Sequence, residues 1–286
     1  MVITSKDNEQ IKHIRKLKEK KHRDEHKEYV IEGIKLIREA IAEKANIKTI
    51  VACDNCVKNE EIDPKLMYEI AKYNCIYVDE KVFNTITDVQ NPQGILAVMC
   101  KEKEKEEIDF SEDIIVVLDD IQDPGNIGTI LRTVDSIGLK QIIVSKKSGD
   151  IYNPKVVRST MGAILRVNVI ESENLVDTLK TIKKHDFEII ATSLGGQKNI
   201  YDIDYKKKVI VIGNEANGVS KEVLEIADEK VIIPMLRKNR KSKCSSSNRD
   251  NNIWICKAEN NTKLSLKKYI KQNKHGRNMK KIKRKV

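Results

Sequence analysis

From residue 113 to residue 235 the chain alternates short β-branched runs with amphipathic stretches, and after Met235 that alternation stops. Strands are read at Ile114–Leu118, Gln141–Val144, Arg166–Ile170, Glu188–Ala191, Lys208–Ile212 and Lys230–Ile233. Helical periodicity falls between them, over 126–137, 154–164, 174–185 and 220–228. An apolar period that switches between two and three to four is the mark of successive βα units. Such units give an α/β fold with a mostly parallel sheet covered by helices on both faces. Ligands of these sheets sit at the carboxyl ends of the strands. The loops after Leu118, Ala191, Ile212 and Ile233 are therefore where chemistry is expected.

Residues 1–106 read as a smaller α/β domain that ends in a charged linker. Asn8–Lys21 places Ile11, Ile14 and Leu17 on one helical face, and 34–42 carries an apolar stripe of Ile34, Leu36, Ile37, Ala40 and Ile41. Tyr29–Gly33, Ile47–Ala52, Ile76–Val78 and Gly94–Met99 read as strands, and Pro64–Tyr73 as a helix. The run from Lys101 to Glu107 alternates Lys and Glu with no apolar face, as solvated linkers do. Three regions follow: 1–106, 107–235 and a tail, 236–286.

The formal charge of +11 invites a nucleic-acid reading, but its distribution weakens that inference. Residues 237–286 hold 18 Lys and Arg against 2 Asp and Glu, whereas the remainder holds 36 against 41. The globular part is slightly acidic, and the basic excess belongs to the tail. Six cysteines are scattered, and the lone Cys53-Asp-Asn-Cys56 lacks the further ligands a zinc site needs, so they read as structural or incidental thiols with no metal site. With no signal region and no apolar run of membrane length, a cytoplasmic protein without membrane contact is expected.

Three of the loops carry patterned residues. Asp123-Pro-Gly-Asn-Ile-Gly-Thr-Ile-Leu-Arg132 opens a helix, with Asn126 at or near its N-cap. Three- and four-residue spacings let Asn126, Gly128 or Thr129, and Arg132 share one face. Ile190–Gly196 is a loop of small and polar residues. Ile212-Gly-Asn-Glu-Ala-Asn-Gly218 is a glycine turn around an acid, followed by a helix capped by Ser220. Walker A and dinucleotide patterns are absent.

Together with Ile232-Ile-Pro-Met235, and in this order, these motifs resemble those of the SpoU (TrmH) family of RNA ribose 2′-O-methyltransferases, within the SPOUT superfamily. Ile3-Thr-Ser-Lys with Glu32-Gly33 resembles the L30e-like substrate-binding domain often attached to these enzymes. The resemblance implies a knotted α/β domain that binds S-adenosylmethionine, a homodimer, and methyl transfer to a ribose 2′-hydroxyl. It places Arg132 at the reacting hydroxyl, Asn126 beside it, and Glu215 as the second-motif acid, a partner for an arginine in the site. Cofactor contacts are expected from Thr192, Leu194, Gly213, Gly218, Ile233 and Met235. A guanidinium keeps its proton up to a pKa of roughly 12 or more, so for Arg132 positioning and alkoxide stabilisation stand beside a general-base role. The sulfonium makes the methyl electrophilic, so no metal is required. The RNA partner is expected to be ribosomal rather than transfer RNA, because the N-terminal domain resembles that of rRNA-modifying members.

After Met235 the resemblance stops. The family continues with a glycine, then Glu-Ser-Leu-Asn-Val and small apolar residues that form the last helix and close the cofactor pocket. Here the chain reads Leu236-Arg-Lys-Asn-Arg-Lys-Ser-Lys-Cys-Ser-Ser-Ser-Asn248. Codons permitted for Arg240–Trp254, read one base later, spell Glu-Ser-Leu-Asn-Val-Ala-Val-Ala-Ile-Gly-Ile-Ile-Ile-Tyr. Two accounts stay open, a frameshift just after Met235 or a genuine basic arm that contacts phosphates. The frameshift account expects the last helix and the knot to be missing, the dimer face weakened and the activity low. The arm favours an alternative, a non-catalytic RNA-binding protein that uses its N-terminal domain and tail.

Overall fold

A computed structural model describes residues 2–55, 63–101 and 107–233. The chain divides into two compact units, Met1–Glu104 with Asp150–Arg166, and Lys105–Gly149 with the chain from Val167 onward.

The first unit is built on a mixed five-stranded sheet of order β1-β4-β3-β5-β2. Its strands are β1 (Val2–Ile3), β2 (Glu28–Glu32), β3 (Ile47–Cys53), β4 (Cys75–Val78) and β5 (Ile95–Cys100). The helices are α1 (Glu9–Lys16), α2 (Lys20–His26), α3 (Ile34–Ala42), α4 (Pro64–Ile70) and α5 (Glu80–Ile86). Asn8 caps α1 by accepting from the N–H groups of Gln10 and Ile11, and Ile11, Ile14 and Leu17 turn into a core with Val51, Phe83 and Leu96. The single helix read over Asn8–Lys21 is broken. Leu17 ends α1, and the buried Arg23 of α2 donates to the carbonyls of Leu17 and Lys18, taking up acceptors freed at the break. The helix α5, capped by Asp79, has no counterpart in the sequence reading. Residues 150–166 join this unit through a buried ion pair between Arg23 and Asp150 and through Tyr152, which packs on Tyr29 and under Lys101.

Among the described residues the second unit holds a seven-stranded sheet whose strand pairings are all parallel, in the order β10-β12-β9-β11-β6-β7-β8. They are β6 (Ile114–Asp119), β7 (Gln141–Ser145), β8 (Asn168–Ser172), β9 (Glu188–Thr192), β10 (Lys198–Asn199), β11 (Lys208–Gly213) and β12 (Glu229–Ile232). The helices are α6 (Pro124–Ser136), α8 (Leu175–Lys183) and α9 (Lys221–Ile226), while α7 (Pro154–Ser159) belongs to the first unit. Every residue of β6 and β7 is buried, as expected of parallel strands covered on both faces. Leu175, Leu179 and Ile182 of α8 and Val223 of α9 pack on Ile115, Val117, Ile189, Val209 and Val211. Each such side chain contributes about 1.5–3 kcal/mol on burial.

Several boundaries differ from the sequence reading, two of them for visible reasons. The helix read over 154–164 ends at Ser159, because Met161 and Gly162 take positive φ, and only a 3₁₀ turn (Ala163–Leu165) follows. The strand read from Arg166 starts at Asn168, where pairing with Gln141 begins. The last helix, the knot and the tail all fall after Ile233, outside the described residues.

Candidate functional site

The strand order sets β12, β9, β11 and β6 side by side, so the loops at their carboxyl ends are neighbours. Register makes this concrete: Gly213 pairs with Asp119, Val211 with Ala191, and Thr192 with Val231.

The β6 loop enters α6 through Asp123, whose side chain accepts from the Asn126 N–H at 2.9 Å. Pro124, with no N–H to satisfy and φ already near the helical value, occupies the first helical position. The N-cap is thus Asp123 rather than Asn126, and the Asn126 side chain is free for another task. It is only 5% exposed, and its Nδ2 donates to Glu215 Oε1 at 2.6 Å, across 89 residues of sequence. Glu215 thus accepts from that amide.

The β11 loop is folded by its own asparagine. Asn214 Oδ1 accepts from the N–H groups of Ala216 and Asn217 at 2.9 and 3.1 Å, and the Gly218 N–H bonds back to the Asn214 carbonyl. Asn214 Nδ2 reaches across to the Asp120 carbonyl at 2.8 Å. The loop closes so tightly on Gly213 that a Cβ there would lie 2.1 Å from the Val219 nitrogen and 2.2 Å from the Gly218 carbonyl carbon, so only glycine fits. Asp119, 5% exposed at the end of β6, accepts from the Ser220 N–H at 2.7 Å. Ser220 sits at the N-cap of α9, but its side chain makes no capping bond, so it does not cap the helix as the sequence reading had it. Asp119 was missed in the sequence, where its only signal is an acid at a strand end.

Arg132 lies on the exposed side of α6. Six residues separate it from Asn126, a rotation that at 100° per residue leaves the two about 120° apart around the axis. Asn126 is buried, Thr129 half-buried and Arg132 exposed, so they do not share one face.

On the other side, Thr192 ends β9 and donates from Oγ1 to the Val211 carbonyl at 3.1 Å. Leu194 is 72% exposed. The loop then presses on β12. The Ser193 N–H bonds to the Val231 carbonyl at 2.9 Å, and a Cβ on Gly196 would lie 2.4 Å from the Val231 carbonyl carbon. Ile233, half-buried, follows β12 directly, while Gly213 is half-buried and Gly218 exposed. Met235 lies outside the described residues. Cys53, Cys75 and Cys100 are free thiols of the first unit, and burial pushes the Cys75 thiol up. Among the described residues no helix is long and apolar enough to cross a membrane.

Residues 113–242 match the SpoU rRNA Methylase family, and residues 8–97 match the MRM3-like substrate binding domain. The chain is 27% identical over 234 residues to the 23S rRNA (guanosine(2553)-2′-O)-methyltransferase RlmP of Bacillus subtilis, covering 82% of this chain and 90% of that one. It is 29% identical to an uncharacterized tRNA/rRNA methyltransferase of Synechocystis, over 81% of this chain and 85% of the relative. Among solved structures it resembles an AdoMet-bound rRNA methyltransferase from Sinorhizobium meliloti, with a TM-score of 0.74 and 30% identity over 91% of this chain and 97% of that one.

Proposed function

This chain belongs to the SpoU (TrmH) family of RNA methyltransferases, and from that footing we propose that it transfers a methyl group from S-adenosylmethionine to a ribose 2′-hydroxyl of ribosomal RNA. The observation that carries this reading is the hydrogen bond from Asn126 to Glu215, which ties the first patterned loop to the second at the carboxyl edge of the sheet. The residues of that edge suit the cofactor. Thr192, Leu194, Gly213, Gly218 and Ile233 stand on three neighbouring strands or the loops that follow them. They offer backbone polar groups and exposed apolar surface of the kind an adenosine needs. S-Adenosylmethionine, when bound, supplies an electrophilic methyl on a sulfonium. Met235 is assigned to the same pocket by motif position.

The acceptor side falls to α6. Arg132, exposed and permanently charged, holds the 2′-hydroxyl and stabilises negative charge on its oxygen as the O–CH3 bond forms, the S–CH3 bond breaks and the hydroxyl proton passes to solvent water. Asn126 and Glu215 are positioning residues that set the start of α6 against the β11 loop. The division of labour follows the chain: residues 1–106 bind the RNA and 107–235 carry the reaction. The protein acts in the cytoplasm as a homodimer, without a metal in the transfer step.

After Met235 the family pattern is out of frame, and the chain as it stands binds the cofactor weakly and turns over slowly. Incubating it with labelled S-adenosylmethionine and rRNA or tRNA, and mapping ribose methylation, tests the reading. Incorporation at a ribose of rRNA supports it. No incorporation from either this chain or a frame-restored version sinks it. One observation favours a second reading, non-catalytic RNA binding: the 18 basic against 2 acidic residues of 237–286. Sequencing the gene around the Met235 codon separates the two, since an intact frame as given makes the arm real.

A further inference from the structure

Three of the chain's five histidines, His13, His22 and His26, gather in the first unit. His22 and His26 stand one turn apart on α2. With Glu25 they occupy an arc of about 100° at 100° per residue. Lys20, Asp24 and Lys27 fall on the opposite side of the helix, and Arg23 turns inward to Leu17, Lys18 and Asp150. The face that bears the histidines is therefore not the cationic one.

Its geometry is that of a ligand set. One donor atom from each of His22, Glu25 and His26 lies within 4.8 Å of the other two. His22 Nδ1 and Glu25 Oε2 are 3.4 Å apart. Tetrahedral bonds of roughly 2.0–2.1 Å give an edge of about 3.3 Å. His22 Nδ1 is buried and makes no hydrogen bond, an arrangement that calls for another partner. The rings around it are held in place. His26 stacks on His22 at 6.4 Å and meets His13 edge-on at 4.7 Å. His13 is anchored in turn by Nε2 to Glu28 Oε2 at 2.6 Å, the kind of carboxylate–histidine pair that orients rings beside metals. Glu19 Oε2, 3.9 Å from His22 Nε2, adds a further acid on the same side.

We propose that His22, Glu25 and His26 form a binding site for a divalent transition metal of the zinc class, with its remaining position open to water. The need for it is visible in α2. This helix has seven residues, no side-chain bond at its Glu19 N-cap and a non-glycine left-handed end at Lys27, with φ 54°. Helices this short are marginal without help. A metal bridging one turn would staple α2, and with it Arg23, whose guanidinium pairs with Asp150.

The test uses the full chain, reduced and stripped of metal, titrated with Zn²⁺ against a chromophoric chelator and with Co²⁺ by optical spectroscopy. One equivalent is expected in the micromolar range, with a Co²⁺ spectrum that lacks a thiolate charge-transfer band. H22Q and H26Q should each lose that equivalent, E25Q should weaken it about tenfold or more, and H185Q should leave it unchanged. Zinc should raise the Tm of the parent chain and not that of H26Q. Three outcomes overturn the assignment: unchanged binding in both histidine variants, a thiolate band accounting for the bound cobalt, or no binding below millimolar metal.

Discussion

The two sides of the proposed site are built differently. On the acceptor side the β6 and β11 loops are cross-linked by Asn126–Glu215, Asn214–Asp120 and Asp119–Ser220. On the cofactor side Thr192 has one bond to the neighbouring strand, Leu194 stands 72% exposed, and Ile233 closes the described chain. The three cross-links of the first side all lie within residues 113–220. The second presents apolar surface with little to cover it from those residues, and the chain that follows β12 is where the family pattern breaks. Since these cross-links use no residue after 220, we propose that the acceptor side stands without the tail and that the cofactor side needs it.

The largest test of that asymmetry compares this chain with one in which deletion of a single base after the Met235 codon restores Glu-Ser-Leu-Asn-Val. Calorimetric titration with S-adenosylmethionine should show affinity higher by at least roughly 1,000-fold, or about 4 kcal/mol, in the restored chain. Equal micromolar binding by both would break the comparison, since the cofactor side would then be complete without that segment.

Next in size is Arg132→Ala in the restored chain. Removing a group that stabilises developing negative charge costs about 100-fold to 1,000-fold in kcat. An exposed position should leave stability within about 0.5 kcal/mol. Single-turnover rates and urea midpoints measured together check both halves. A large fall in stability would instead make Arg132 part of the acceptor scaffold.

Legibility of the fold and of the site follows the same physical divide. The strands of the second unit are readable because parallel strands covered on both faces must be apolar throughout, as in Ile114-Ile-Val-Val-Leu118. The helix α3 is readable because its stripe is unbroken from Ile34 to Ala42. The break at Leu17 is not, since the carbonyls freed there are met by Arg23 through a turn the local pattern does not announce. Nor is the packing of residues 150–166 with the first unit, which depends on Asp150 meeting Arg23 across 127 residues. In the site, motif order locates the loops, but the direction of each side chain is tertiary. Asn126 reads as a cap from its neighbours, and it turns to Glu215 only because Asp123 has taken the capping bond. Asp119 carries no motif at all, and its role depends on α9 starting beside it.

The Asn126–Glu215 bond provides a smaller and cleaner probe of the acceptor side. A hydrogen bond to a charged group contributes about 1.5–3 kcal/mol. A double-mutant cycle with Asn126→Ala and Glu215→Ala, read by urea unfolding, should give a coupling energy in that range, in this chain and in the restored one alike. Coupling that appears only in the restored chain would mean that the acceptor side also needs the tail.

The smallest effect, and the one that separates the two sides most directly, belongs to Leu194→Ser. In this chain the side chain is mostly exposed, so its loss removes little buried area, and stability should move by less than about 0.5 kcal/mol. In the restored chain the same leucine is proposed to face the cofactor. Losing a contact worth about 1–2 kcal/mol of apolar burial should then weaken S-adenosylmethionine binding by roughly tenfold. The substitution is therefore silent in one chain and felt in the other, whereas the Asn126–Glu215 coupling is the same in both. If Leu194→Ser destabilised this chain by several kcal/mol, Leu194 would already be covered in solution, and the cofactor side would be as self-contained as the acceptor side.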